Sequence, residues 1–368
     1  HPAMAELLRT TFGVMVYQED VIKVAHFIGK LSLGEADLLR RAMSGKMRSR
    51  DAMLKLQDRF FAGCLGQGIA ADVAAEIWRQ MESFAGYSFC KAHSASYAVL
   101  SFQEAYLKAY WPALFLCSVL NNQGGYYRPD VYIQEAKRLG IRMLLPDVNA
   151  SLDLCECPDE STIQLGWLHV KGLSVRSAAS IIAVRERDGP YRGVHDFLAR
   201  SGVTYEDASI LVRCGACDGF GEKRSAMLMK AKMTLKAGRA PAGEELPLPF
   251  PDFAEELAHL RPYSPEQVTA IELETFSYAV STHVLSHFAA QLVGTVRAVD
   301  LAKHVGRRVS VGGWMIAAKM ARTKKGERMM FMNLDDSTGN VDIVVFPKCY
   351  ERFGHLLETA MELGCVTD

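Results

Sequence analysis

The sequence has no uninterrupted apolar run near the roughly 20 residues that a membrane-spanning helix needs, so no transmembrane partner or setting is expected. It also has no excess of charge. The 42 basic residues stand against 42 acidic ones, which leaves any nucleic-acid grip to local clusters rather than to bulk charge. The nine cysteines are odd in number and scattered, and His1 to Leu8 lacks the basic and apolar stretches of a secretion signal. A disulfide framework is therefore not expected; reduced thiols and a cytoplasmic setting are. Cys214 and Cys217 form a C-x-x-C, yet no second pair completes four zinc ligands, and the strand–helix context of a redox motif is missing. No metal site is expected there, and packed thiols are the simpler reading, as at Cys155 and Cys157. An initiating Met is also lacking, and Glu362 to Asp368 ends inside what reads as a structured segment, so a fragment is the expectation.

What is present is ordinary globular composition over 368 residues, 49% hydrophobic and 23% charged, enough for two or three domains. Apolar spacing predicts helices over 21–28, 35–43, 72–84 and 94–111. The last carries Ala95, Ala98, Val99, Phe102, Ala105, Tyr106 and Ala109 on one stripe, and Pro112 falls where that pattern shifts, with a continuation to Leu120. In the second helix Asp37 and Arg41 lie four apart, and Ser44-Gly45 closes it. A helix over 131–139 and a strand over 141–145 follow. Then come a strand over 163–170 and helices over 174–187, 194–201, 205–213 and 223–235. The stretch 237–265 is rich in Pro, Ala and Glu and reads as a linker. After a helix over 265–277, strands are predicted over 309–317, 328–335 and 341–346, with Gly-containing turns between them and a helix over 347–357 behind. The fold class is multidomain and mainly α, ending in a partial β-barrel.

Arg40 and Arg41 place two guanidinium forks beside a helix end, with Lys46 just beyond; such forks suit bidentate binding of phosphate oxygens. Lys91 and His93 precede a helix whose first N–H groups are free to face an anion. The plainer reading is solvated charge on packed helices.

These residues sit in longer runs: Phe12-Gly-Val-Met-Val-Tyr-Gln-Glu-Asp20, Leu33 to Met43, Phe84 to Ala98, Tyr127 to Gly140 and Leu145-Pro-Asp-Val-Asn-Ala-Ser151. In that order they resemble the fingers of bacterial C-family polymerases, the DNA polymerase III alpha subunits. The resemblance implies helical fingers over 1–148, a tandem helix-hairpin-helix domain over 149–236, a linker over 237–300 and a truncated OB fold over 301–368. It implies that Arg40 and Arg41 face the triphosphate of an incoming dNTP, and that Lys46, Lys91 and His93 line the same pocket. Cys90 stands where the family commonly has Asn.

Val170-Lys-Gly-Leu-Ser174 and Cys214-Gly-Ala-Cys-Asp-Gly-Phe-Gly221, each before a helix, look like the two hairpins that hold primer–template DNA by its backbone. Lys171, Gly172, Arg176, Gly219, Gly221, Lys223 and Arg224 are the residues expected to touch DNA. Ser174 replaces a family Gly. Glu245-Leu-Pro-Leu-Pro-Phe250 resembles the family's sliding-clamp peptide, with Glu245 for Gln, so Leu246, Leu248 and Phe250 are the expected clamp contacts. In the OB segment, Lys319, Arg322, Lys324 and Lys325 supply charge, and Trp314, Phe331 and Phe346 are candidates to stack on single-stranded template. Other polymerase III holoenzyme subunits are expected partners. The family's Mg2+ ions are held by a closely spaced Asp set in the palm, which nothing in this chain matches, so the chain alone is expected to bind no metal and to be inert. Two other readings stand beside this one: a stand-alone DNA-binding accessory protein, and a thiol or metal hydrolase built on Cys90 and His93. The hydrolase needs a base–nucleophile hydrogen bond and an orienting carboxylate.

Overall fold

The computed structural model describes residues 1–42, 50–84, 89–236, 257 and 259–363. The chain divides into two compact units, His1–Tyr106 and Leu107–Asp368, so the division falls within the stretch 1–148.

The first unit is helical. α1 (Pro2–Leu7) is followed by a turn at Phe12 and Gly13, then by α2 (Gln18–Lys23), which passes into a π-turn over Val24–Ile28. The helix predicted over 21–28 begins earlier because the Asp20 carboxylate accepts the Val16 and Tyr17 N–H groups, at 3.1 and 2.9 Å. α3 (Leu33–Arg41) begins at a reciprocal cap: Ser32 Oγ accepts the Glu35 N–H at 3.3 Å, and Glu35 accepts the Ser32 N–H at 2.9 Å. Its predicted closing turn at Ser44-Gly45 lies outside the described residues. α4 (Arg50–Leu65) and α5 (Ala71–Phe84) close the core, with Phe60 and Trp78 rings 5.3 Å apart. Leu8, Ile28, Leu31, Leu39, Phe60 and Met81 are fully buried. Each such side chain contributes about 1.5–3 kcal/mol by leaving water. A Cβ on Gly63 would collide with the Gly29 carbonyl, and one on Gly29 with the Phe60 ring, so glycine at both lets α4 cross the π-turn at backbone contact.

α6 (Lys91–Tyr110) covers the helix predicted over 94–111 and begins three residues earlier. It is a continuous helix, yet its apolar stripe is not a core face. None of its residues is buried, and Phe102 is 80% exposed. The periodicity records which residues share a face; it does not say what covers them.

In the second unit α7 (Pro112–Asn122) and α8 (Pro129–Arg138) each start on a proline, which lacks the N–H that a first turn leaves unpaired. β1 (Arg142–Leu144), β2 (Glu156–Asp159) and β3 (Thr162–Gln164) form a sheet in the order β1-β3-β2, with Arg142 opposite Thr162 in a parallel pair. β2 was not predicted. The strand expected over 163–170 stops at Gln164, and Trp167–His169 forms a 3-10 turn. α9 (Val175–Asp188), α10 (Val194–Ser201), α11 (Tyr205–Arg213) and α12 (Arg224–Lys236) follow close to their predicted spans. Their core includes Ile181, Phe197, Leu211, Cys214, Cys217 and Met227, all fully buried. Burial pushes the Cys214 thiol up to about 12, far from the reactive range.

The linker residues 237–256 and 258 lie outside the described residues. α13 (Pro265–Phe276) starts at Ser264, whose hydroxyl accepts the Gln267 N–H at 3.3 Å. β4 (Trp314–Arg322), β5 (Arg328–Asp335) and β6 (Asn340–Val345) form an antiparallel meander, backed by α14 (Pro347–Leu363). β4 starts later than the strand predicted over 309–317. Met330 and Met332 point inward with Tyr350. At the end of β5, Asp335 is buried and accepts from Arg138 of α8 at 3.0 Å and from the Ser337 N–H at 2.7 Å, with His283 at 3.5 Å. Burial works against its charge, but these donors outweigh burial and hold the carboxyl below its ordinary value.

Candidate functional site

In the first unit the residues singled out from the sequence gather around Tyr17 to Asp20. Arg40 donates to Asp37 at 2.8 Å and to the Gln18 side-chain carbonyl at 2.9 Å, which fixes the direction of its fork. Arg41 reaches the other Asp37 oxygen at 2.8 Å. The two arginines share one carboxylate, and the bond from Arg40 leads in holding the Asp37 carboxyl below the usual range.

Lys91 and His93 lie inside the first turn of α6 rather than before it. The N–H at its start is already taken: Glu19 accepts the Lys91 N–H on both oxygens, at 3.1 and 2.9 Å, and the Cys90 thiol at 3.2 Å. Burial tends to raise the Glu19 carboxyl, but the Lys91 N–H, the Cys90 thiol and the charge of Arg40 outweigh it, leaving it lowered. The Gln18 N–H donates to the Phe89 carbonyl at 2.9 Å, Tyr17 meets Phe89 edge-on at 5.5 Å, and the Lys91 ammonium sits 5.4 Å from the centre of the Tyr17 ring. His93 packs against Tyr97, ring centres 4.5 Å apart. Both Lys91 and His93 are exposed. The carboxylate that a thiol hydrolase needs is present, but it contacts the Cys90 thiol, whereas the His93 ring packs on Tyr97. Lys46 lies outside the described residues.

Sequence reasoning missed Glu19 and the double use of Asp37. Asp37 had a signal in its helical spacing with Arg41. Glu19 had none, because its partners lie more than 70 positions away.

In the second unit, the first hairpin turns at Gly172, whose φ of +80° favours glycine. A 3-10 turn stands where a helix-hairpin-helix would have its first helix. The Lys171 N–H donates to the Thr275 carbonyl at 3.0 Å and the Ser174 N–H to Asp207 at 3.1 Å. Lys171 Nζ meets the Ser277 hydroxyl. Arg176 stands exposed in the first turn of α9.

In the second hairpin the Phe220 and Gly221 N–H groups close its own 3-10 turn, at 3.1 and 3.0 Å. A Cβ on Gly219 would stand 3.1 Å from Asp147. Arg224 is enclosed: it forks onto Asp218 at 2.8 and 2.6 Å and donates to the Arg213 carbonyl at 2.9 Å, with its side chain only 12% exposed. Lys223 donates to the Leu260 carbonyl at 3.1 Å. Arg224 is thus a strut inside the fold, whereas Lys171, Arg176 and Lys223 stand on the surface.

On the meander, Lys324 and Lys325 are exposed in the turn between β4 and β5. Lys319, Phe331 and Val344 stand side by side across the three strands on the face away from Met330 and Met332. Phe331 is 45% exposed and Phe346 63%, so both rings can meet a ligand, whereas Trp314 is half-buried. Leu246, Leu248 and Phe250 lie outside the described residues. Among the described residues no group of three or more His, Cys, Asp or Glu side chains is placed to hold a metal ion, and no helix is long and apolar enough to cross a membrane.

Three family descriptions match along the chain: the bacterial DNA polymerase III alpha subunit finger domain over residues 1–68, a helix-hairpin-helix motif over 140–227 and an OB-fold nucleic acid binding domain over 309–366. A DNA polymerase III subunit alpha of Bacillus subtilis (strain 168) is 31% identical over 370 residues, covering 97% of this chain and 33% of the relative. One from Escherichia coli (strain K12) is 31% identical over 377 residues, 97% of this chain and 32% of the relative. One from Aquifex aeolicus (strain VF5) is 30% identical over 362 residues, 97% of this chain and 30% of the relative. The chain spans about a third of the length of these curated relatives. With fingers, helix-hairpin-helix and OB-fold segments in that order, it belongs to the bacterial DNA polymerase III alpha-subunit family.

Proposed function

We propose that this stretch binds the incoming dNTP and holds primer–template DNA for template-directed synthesis, in the cytoplasm. The observation that carries the reading is the hub at Tyr17 to Asp20. Through it Arg40 on α3 and Lys91 on α6, far apart in sequence, are fixed to the same short segment. Cations held in place before a ligand arrives lose little freedom on binding it, which favours a polyphosphate over water. Arg40 and Arg41 face the triphosphate; Lys91 and His93 complete the pocket.

DNA is held by its backbone at the first hairpin, through Lys171, Gly172 and Arg176, and at the meander, through Lys324 and Lys325, with Phe331 offering a stacking face. The linker peptide around Leu246 to Phe250 docks a sliding clamp, through which other holoenzyme subunits are reached. The reaction class of the relatives calls on divalent metal ions such as Mg2+, but the described residues do not fit one, and no step is assigned to a metal in this chain. On this reading the chain alone binds without extending a primer.

The test is fluorescence anisotropy of a labelled primer–template with a single-stranded overhang, at several salt concentrations. Log affinity is expected to fall linearly with log salt. Replacing Lys324 and Lys325 together by Ala should lower the slope by about 2, roughly 1 for each lysine that no longer neutralises a phosphate. Arg40→Ala should leave DNA binding unchanged while weakening dATP about tenfold, the loss of one charged hydrogen-bonding partner. Absence of salt-dependent binding would overturn the DNA assignment, and an unchanged dATP affinity the nucleotide one.

A further inference from the structure

We infer that Glu19 is a positioning residue of the nucleotide pocket: its carboxylate clamps the start of α6 and so aims Lys91 and His93 at the phosphates that Arg40 faces. The inference rests on the nucleotide reading above and deepens it.

Three observations carry it. Both Glu19 oxygens lie on the Lys91 N–H, and the Cys90 thiol donates to the same carboxylate, so the residues on either side of the helix start are held at one point. The neighbouring Gln18 ties the segment in both directions, to the Phe89 carbonyl by its N–H and to Arg40 by its side chain. No residue of α6 is buried, and the ion pair of its Lys108 with Glu135 lies near its other end. The aim of Lys91 and His93 therefore depends on the ties at the helix start, among which Glu19 supplies those to Lys91 and Cys90.

The charge of Glu19 makes the point sharper. A carboxylate beside cations that bind a triphosphate repels that ligand, so on Coulombic grounds alone its removal strengthens binding. A positioning role predicts the opposite sign. It also predicts rescue by glutamine, whose amide oxygen still accepts the Lys91 N–H.

The experiment is calorimetric titration of the full 368-residue chain with dATP, with the thermal midpoint of each variant measured alongside. Glu19→Ala is expected to weaken dATP about tenfold or more, since misaimed groups lose most of their effect. Glu19→Gln should recover most of that loss. Should Glu19→Ala fail to fold, the thiol side of the clamp gives the answer: Cys90→Asn, with an amide donor, should bind dATP more tightly than Cys90→Ala, which has none. Affinity unchanged or tightened in Glu19→Ala, or equal in the two Cys90 variants, overturns the inference while Lys91→Ala still weakens binding and the nucleotide reading stands. If the unaltered chain binds no dATP, both fall together.

Discussion

Asp207 sits in the first turn of α11 and reaches back to α9. It accepts the Ser174 N–H at 3.1 Å, the Ser174 hydroxyl at 2.8 Å and the Ser177 hydroxyl at 2.6 Å, while its own N–H donates to Thr204 at 3.2 Å. One buried carboxylate thus joins the caps of two helices. Asp207→Ala leaves the buried Ser177 hydroxyl without its acceptor and should cost about 1–3 kcal/mol, measured by urea unfolding. Burial tends to raise its carboxyl, but the serine donors prevail and the folded value is lowered. The stabilisation is then present above the unfolded value of about 3.9 and is lost as pH falls through the lower folded value. Asp207→Asn should flatten the stability curve in that acid range; an unchanged curve would refute the assignment. Caps of this kind are partly legible in sequence, since Ser174 and Thr204 stand just before their helices. Asp207 and Glu19 are not, because their partners come from distant segments and leave no spacing to read.

Helices and turns came through the sequence better than burial did. The spans of α5 and α9 to α13 lie close to their predicted limits, because apolar period, caps and prolines are local signals. β2 escaped notice because a four-residue strand, Glu156–Asp159, is too short for alternation to show. At α6 the pattern matches the helix, while none of its residues is buried. Two phenylalanines separate pattern from burial. Phe60→Ala, in the core of the first unit, should cost about 3–5 kcal/mol, whereas Phe102→Ala, 80% exposed on α6, should stay within about 0.5 kcal/mol. Equal losses in chemical denaturation would mean that α6 is packed in solution.

At the scale of the molecule, the fold class and the order of its segments were legible, because family motifs and β-hairpin turns lie along the chain in sequence. The division at Tyr106 was not, since it falls inside a continuous helix. Among the described residues, buried apolar side chains collect in three clusters: one in the first unit, one around the hairpin helices and one behind the meander. Scanning calorimetry should therefore show more than one transition, with a van't Hoff enthalpy below the calorimetric one; a single two-state transition would mean that the clusters melt as one. The same separation governs how the sequence can change over generations. Substitutions deep inside different clusters, far apart and with no partner in common, are expected to add in their effects, and each cluster drifts against its own margin of stability. That freedom ends where Asp335 meets Arg138. A change there leaves a buried charge without its partner, so in descent the two positions are bound to change together or to stay as they are.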